Sequence, residues 1–160
     1  MAKIYYSFFR AGSGSVPARI GLCILLLFTL SAYPDTLRRV DLRIRTFVVS
    51  AEVAATPPAR QQGLMYRKHL PADAGMVFVF PELDYHSMWM VNTYVPLSAA
   101  FIDDQGVILN IADMQPLTTN PHSAAKPARF VLEVNQGWFA ARGIKAGDRV
   151  LGLPAAAASE

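Results

Sequence analysis

Six polar side chains of this chain are of the types that hold a ligand: Arg67, Asn92, Thr93, Asp103, Glu133 and Asp148. An arginine fork clamps a carboxylate or phosphate in bidentate fashion, while Asn and Thr hydroxyl and amide groups fix orientation. All but Glu133 fall at or near the ends of expected elements, where turn bonding and structural ion pairs use the same residue types. A second group, His86, Met88 and Met90, sits at alternate positions and could offer one imidazole and two thioethers to a soft ion, Cu(I). Methionine is also a common filler of core gaps, and that use outweighs ligation here. A third group, the carboxylates Asp103, Asp104, Asp113 and Glu133, would serve a hydrolase if two of them stood about 5–10 Å apart. Asp103 and Asp104 belong instead to a turn, where aspartate bonds its own backbone. Serine chemistry finds no Gly-x-Ser-x-Gly elbow, and His69, His86 and His122 have no evident base role. The residue types therefore point to non-catalytic binding of a small ligand or an exported protein partner. Cu(I) binding through His86, Met88 and Met90 is the alternative, and carboxylate hydrolysis a second one.

Elements that alternate must position these groups. Phe47, Val49, Ala51 and Val53 alternate with polar or smaller neighbours, a strand with one buried face. Thr56 before Pro57 and Pro58 starts a short helix that runs to about Gly63. Leu64, Met65 and Leu70 pack it on the core. Met76 to Phe80 is unbroken apolar sequence, as in a strand covered on both faces, and Pro81 to Asp84 reads as the turn that ends it. Tyr85 to Val95 reads as the next strand, with His86, Met88 and Met90 on one face. Leu97–Ile102 and Val107–Ala112 flank Asp103-Asp104-Gln105-Gly106, a hairpin whose glycine takes the left-handed position. Gln115 to Pro127 is a long surface loop. Phe130, Leu132 and Val134 mark a half-buried strand, Asn135 caps a second short helix ending near Gly143, and a last strand runs to Leu153. The fold class expected is mainly β (α+β): a small antiparallel barrel or sandwich of about six or seven strands with two short helices.

The first 33 residues stand apart. Lys3, Arg10 and Arg19 precede the apolar run Ile20 to Leu30, followed by the small pair Ser31 and Ala32, which is the layout of a secretory signal. A membrane span needs about 20 apolar residues, and this run is shorter, so the membrane enters only if the segment is retained as an anchor. The expected address is exported: periplasmic or secreted. Three of the 15 basic residues lie in this leader, leaving twelve against 12 acidic ones, so the net charge gives no reason to expect nucleic acid. Cys23, the single cysteine, also lies in the leader, which excludes thiol catalysis and zinc–cysteine sites from the rest. The expected organisation is a leader over 1–33, a lead-in over 34–45 carrying Arg38, Arg39, Arg43 and Arg45, one domain over 46–154, and a frayed tail over 155–160.

Several short motifs recur in a fixed order: Arg60-Gln61-Gln62-Gly63-Leu64-Met65-Tyr66-Arg67, Gly75-Met76-Val77-Phe78-Val79-Phe80, Trp89-Met90-Val91-Asn92-Thr93, Pro96-Leu97, Phe101-Ile102-Asp103, Val131-Leu132-Glu133, Gly137-Trp138 and Gly147-Asp148. In that order and spacing the chain resembles the domain-of-unknown-function 192 family from about Phe47 to Leu153. The resemblance implies a small, mainly β domain, frequently exported in bacteria, whose activity is unassigned. Three positions depart from the family pattern: Ser98 stands where members usually carry Asp, Val91 where they carry a basic residue, and Asn120-Pro121-His122 where the loop often holds Cys.

Overall fold

The structure is a computed structural model and describes residues 37–155; residues 1–36, with the expected leader and Cys23, and residues 156–160 lie outside the described residues. The strands are β1 (Arg39–Ile44), β2 (Phe47–Ala54), β3 (Ala74–Asp84), β4 (Ser87–Met88), β5 (Leu97–Ile102), β6 (Ile108–Met114), β7 (His122–Ser123), β8 (Ala128–Asn135) and β9 (Val150–Leu151), with one helix, α1 (Pro57–Gln62). Seven of them form one sheet in the order β6-β5-β8-β3-β2-β1-β9, and β4 pairs with β7 apart from it. The sheet curls until its two edges meet at one end. Val107 bridges Arg149, the Ile108 N–H donates to the Asp148 carbonyl at 2.9 Å, and the Val150 N–H donates to Gly106 at 2.8 Å. Of the two closures open to the sequence, the chain adopts a curled half-barrel.

The basic segment read as a lead-in contributes β1, whose Leu42 and Ile44 are buried and alternate with exposed Asp41 and Arg43. At α1 the expected signals act as read: the Ala59 N–H donates to Thr56 Oγ1, prolines occupy the first turn, and Gly63 ends the helix at φ +48°. This helix carries the chain back over the sheet, so β2 and β3 run parallel, the single departure from the antiparallel expectation among the described residues.

Four local expectations are corrected. Pro81 does not end β3, which stays extended to Asp84. Lacking an N–H, Pro81 sits where the ladder to β8 lapses between Val79 and Asp84, and Arg129 donates to its carbonyl instead. The strand expected over Tyr85–Val95 is reduced to Ser87–Met88, because Asn92 takes a left-handed φ of +54° and the Thr93 N–H turns back to the Met90 carbonyl. β8 is a central strand buried on both faces. The second helix is only a 3-10 turn over Ala140–Arg142 closed by left-handed Gly143; Asn135 does not cap it but donates to the Leu70 and Pro71 carbonyls. The Asp103–Gly106 hairpin is as expected, with Asp103 Oδ1 accepting from the Gln105 and Val107 N–H groups.

Side chains leave the sheet on two faces. One face, with Val49, Val77, Val79, Ala100, Ile102, Leu132 and Val134, packs on Trp138, Phe139 and Ile144. The other, with Ala54, Met76, Phe78, Leu97, Ala99, Phe101 and Val131, is roofed by Leu64, Leu70, Met90 and Val95. Each fully buried Phe, Leu or Met contributes about 1.5–3 kcal/mol of hydrophobic stabilisation. The roofed face carries the candidate site.

Candidate functional site

Strand register aligns one row of residues across the sheet: Arg39 opposite Glu52, Glu52 beside Met76, Met76 opposite Glu133, Glu133 opposite Ala99. Neighbours in such a row project to the same face, so two carboxylates point under the same roof, two strands and about 10 Å apart. Met76 stands between them. Their environments differ in kind.

Glu52 is held by two arginines. Arg67 donates from Nη1 and Nη2 at 2.9 and 2.6 Å, and Arg39 from Nη2 at 2.9 Å. The Arg67 bonds hold the Glu52 carboxyl below the usual carboxylate range against the opposing effect of burial, and the same contact raises the Arg67 guanidinium. This pair lines a pocket of about 200 Å³ together with Thr56, Gln62 and Gly63.

Glu133 has no such partner. It is 3% exposed, no side chain among the described residues hydrogen-bonds it, and burial alone pushes its carboxyl up to about 8. Its side chain lines a cavity of about 30 Å³ with Thr93, Gln62, Gly63, Phe78, Met88 and Trp89. That volume suits one or two small polar groups. Gln62 and Gly63 line both recesses, so the end of α1 forms a common wall. Arg60 also lines the smaller recess, but its Nη1 is committed to the Ala55 and Val79 carbonyls and its guanidinium lies 5.5 Å from the Phe80 ring centroid.

The roof is held by crossing loops. The Tyr66 N–H donates to the Asn92 carbonyl at 2.8 Å, the Asn92 amide donates to the Tyr66 hydroxyl at 3.0 Å, and the Leu117 N–H donates to the Thr93 carbonyl at 3.1 Å. Tyr66, Asn92 and Leu117 all take positive φ, at 64°, 54° and 63°. Left-handed backbone at bulky side chains costs roughly 1–2 kcal/mol each and persists where surroundings hold it, often beside sites. Trp89, 58% exposed, stands at the mouth.

Of the six residues proposed from sequence, four therefore gather on the roofed face: Arg67 on Glu52, Asn92 in the roof, and Thr93 with Glu133 in the cavity. Asp103 and Asp148 lie elsewhere. Asp103 closes the β5–β6 hairpin. Asp148 accepts from the Lys145 N–H, which is the first cause of its lowered carboxyl, and holds Arg45 at 2.9 Å. The carboxylates weighed as hydrolytic partners also part from Glu133: Asp104 stays in the hairpin, and Asp113 accepts from Ser98, whose hydroxyl in turn accepts from the Gly137 N–H.

The soft-ion group does not share a strand. His86 stacks on Phe80 at 3.6 Å, Met88 faces His122 across the β4–β7 ladder, and Met90 is wholly buried in the roof. Sequence reasoning missed Glu52, Gln62, Gly63 and Trp89. The available signal was a glutamate in each of two strands otherwise rich in apolar residues.

A family model matches residues 40–152, under the description "Uncharacterized ACR". The chain belongs to the DUF192 family. The motif-based resemblance is thereby confirmed, and this DUF192 domain includes β1. It is similar to a protein from Sinorhizobium meliloti 1021, provisionally described as a transcription regulator, with 36% identity and a TM-score of 0.71 over 73% of this chain and 95% of that one. It is likewise similar to a protein of unknown function from Novosphingobium aromaticivorans DSM 12444, with 35% identity and a TM-score of 0.70 over 74% and 89%. The comparison with curated proteins returns no match.

Proposed function

We propose that this DUF192 domain is exported and binds a small polar ligand, without catalysing a reaction, in the recess over Glu133. The supporting observation is the carboxyl itself: a glutamate in the centre of the sheet, 3% exposed and without a hydrogen-bond partner among the described residues, that reaches a cavity beside Thr93 and Trp89. No wholly buried side-chain oxygen among the described residues lacks a partner, so the Glu133 oxygens open onto the recess, where a ligand donor can reach them and replace water in their hydrogen bonds. Binding fits better than chemistry because the recess has one carboxyl. Its counterpart, Glu52, lies about 10 Å away across Met76 and is tied to Arg39 and Arg67. The Thr93 hydroxyl donates to the Val91 carbonyl and has no base beside it among these contacts.

The two tryptophans allow a direct test, because Trp89 flanks the recess and Trp138 lies in the opposite core. The full chain, labelled with nitrogen-15, is titrated with four-carbon probes carrying an alcohol, amide, ammonium or carboxylate head. Saturable movement of the Trp89 indole signal by at least one probe, with Trp138 still, is the expected outcome. If none of the four moves Trp89, the recess is not a ligand site. Export is tested by fractionation and by the mass of the cellular product's N-terminus, and an uncleaved cytoplasmic product excludes it.

A further inference from the structure

The geometry points to a primary alkylammonium as the ligand head, with Glu133 as its counter-ion and Trp89 as the aromatic wall at the mouth. This assignment rests on the recess being a binding site and names what it takes.

Three features of the recess select that chemistry. The first is the balance of donors and acceptors. A carboxylate presents two acceptor oxygens, and Thr93 Oγ1, whose hydrogen goes to Val91, keeps its lone pairs. An ammonium brings three donors and no acceptor, so the two sets are complementary. The second is size. About 30 Å³ accommodates a single –NH3 head on its methylene stem, whereas a trimethylammonium or a guanidinium needs several times that space. The third is the lining beyond the acceptors. Trp89 provides the aromatic face most favourable to a cation, and Phe78 and the Met88 thioether supply an apolar sleeve for an alkyl stem.

The charged groups around Glu133 leave it free for this role. Among the charged side chains, Arg60 from α1 is the one that shares its lining, and that residue is engaged with the Ala55 and Val79 carbonyls and the Phe80 ring. Glu52 on β2, with Arg67 and Arg39, forms its own closed network across Met76. From β3, β5 and the Met88–Thr93 segment the neighbours are Met76, Ala99, Met88, Trp89 and Thr93, none of them charged.

A proton leaves when the ammonium enters. Burial holds Glu133 protonated at neutral pH, with its carboxyl pushed up to about 8. The bound state is a carboxylate against R–NH3⁺, so the protons passed to solvent per ligand equal the fraction of Glu133 still protonated, roughly 0.9 at pH 7 and roughly 0.2 at pH 8.5. The fraction of Glu133 already ionised rises from roughly 0.1 at pH 7 to roughly 0.8 at pH 8.5, so affinity for an amine that stays protonated increases about eightfold over that interval.

The test uses n-butylammonium, tetramethylammonium, 1-butanol and butyramide on the full chain, read by the Trp89 indole signal and by calorimetry in buffers of different ionisation enthalpy. N-acetyl-lysine methylamide is added to distinguish a lysine side chain from a free amine as the source of the head. The expected result is saturable butylammonium binding with release of about 0.9 proton at pH 7 falling to about 0.2 at pH 8.5, tightening about eightfold over that interval. In Glu133→Gln the affinity falls at least tenfold and the pH dependence vanishes. Lysine-amide binding as tight as butylammonium assigns the head to a partner's lysine, and its exclusion assigns it to a free amine; both support the ammonium. Butanol or butyramide binding as tightly as the amine overturns the ammonium and leaves the ligand site standing. Tetramethylammonium binding as tightly, or amine binding undiminished in Glu133→Gln, also overturns it. Silence from every probe overturns the ammonium and the site together.

Discussion

Replacing Glu133 by glutamine separates the shape of this side chain from its ionisation. In the unfolded chain the carboxyl titrates at the ordinary 4.5, whereas in the folded domain burial pushes it up to about 8. The folded state thus binds the proton more tightly. The stability it contributes is fully present below pH 4.5 and is lost as pH rises toward and through 8. At 1.36 kcal/mol per pH unit of difference, the loss between pH 5.5 and 8.5 comes to about 3 kcal/mol. That is a substantial part of the roughly 5–15 kcal/mol that stabilises an ordinary domain. With a urea m-value of about 1.5 kcal/mol/M, the midpoint of wild-type unfolding should fall by about 2 M over this range. Glutamine keeps the volume and cannot ionise, so the Glu133→Gln midpoint should stay nearly level and exceed the wild type by pH 8.5. The lowered carboxyl of Glu52 loses its contribution only as pH falls below the ordinary carboxylate value, outside this window. Parallel curves for wild type and variant across pH 5.5–8.5 refute the reasoning, because Glu133 would then be ionised or solvated in the folded state.

Three further variants probe the frame around the site. Gly75→Ala places a β-carbon 2.5 Å from the Glu133 carbonyl oxygen, on backbone that cannot move without parting β3 from β8, and should cost roughly 2–3 kcal/mol in urea unfolding. A cost below about 0.5 kcal/mol would mean that the two strands are farther apart. Arg67→Met removes two bonds to Glu52 while Arg39 remains, and should cost about 1–2 kcal/mol near pH 7. This difference should shrink in acid, as Glu52 becomes protonated; a difference constant down to pH 3 contradicts the ion pair. Asn92→Ala should lose about 1–2 kcal/mol through its left-handed backbone, whereas Asn92→Gly should stay within about 1 kcal/mol of wild type. Equal melting temperatures for the two variants would show that the roof turn is not strained at Asn92.

Local patterns made much of the fold legible. The Thr56–Pro57–Pro58 start of α1, the Asp103–Gly106 hairpin and the apolar strand run Met76–Phe80, buried through Val79, each follow from chemistry within a few residues, and each is found where that chemistry places it. Reading failed where a distant contact overrode local preference. Tyr85–Val95 alternates like a strand, yet Asn92 turns it over so that Met90 enters the roof core and Thr93 reaches the cavity. Phe130, Leu132 and Val134 suggested one buried face, and only the placement of β8 between β3 and β5 buries Val131 and Glu133 as well.

The sequence by itself determined the element chemistry, the mainly β class and the family, because propensity, capping and motif order are properties of neighbouring residues. It also supplied Arg67, Asn92, Thr93 and Glu133 as polar candidates. Tertiary structure alone decided that Glu52 and Glu133 share a row, that two arginines bond one while no side chain among the described residues bonds the other, and that a roof of crossing loops covers the second in a small recess. The physical reason is that a carboxyl's charge state depends on the water removed from it and the partners brought to it, and both arrive here from residues tens of positions away.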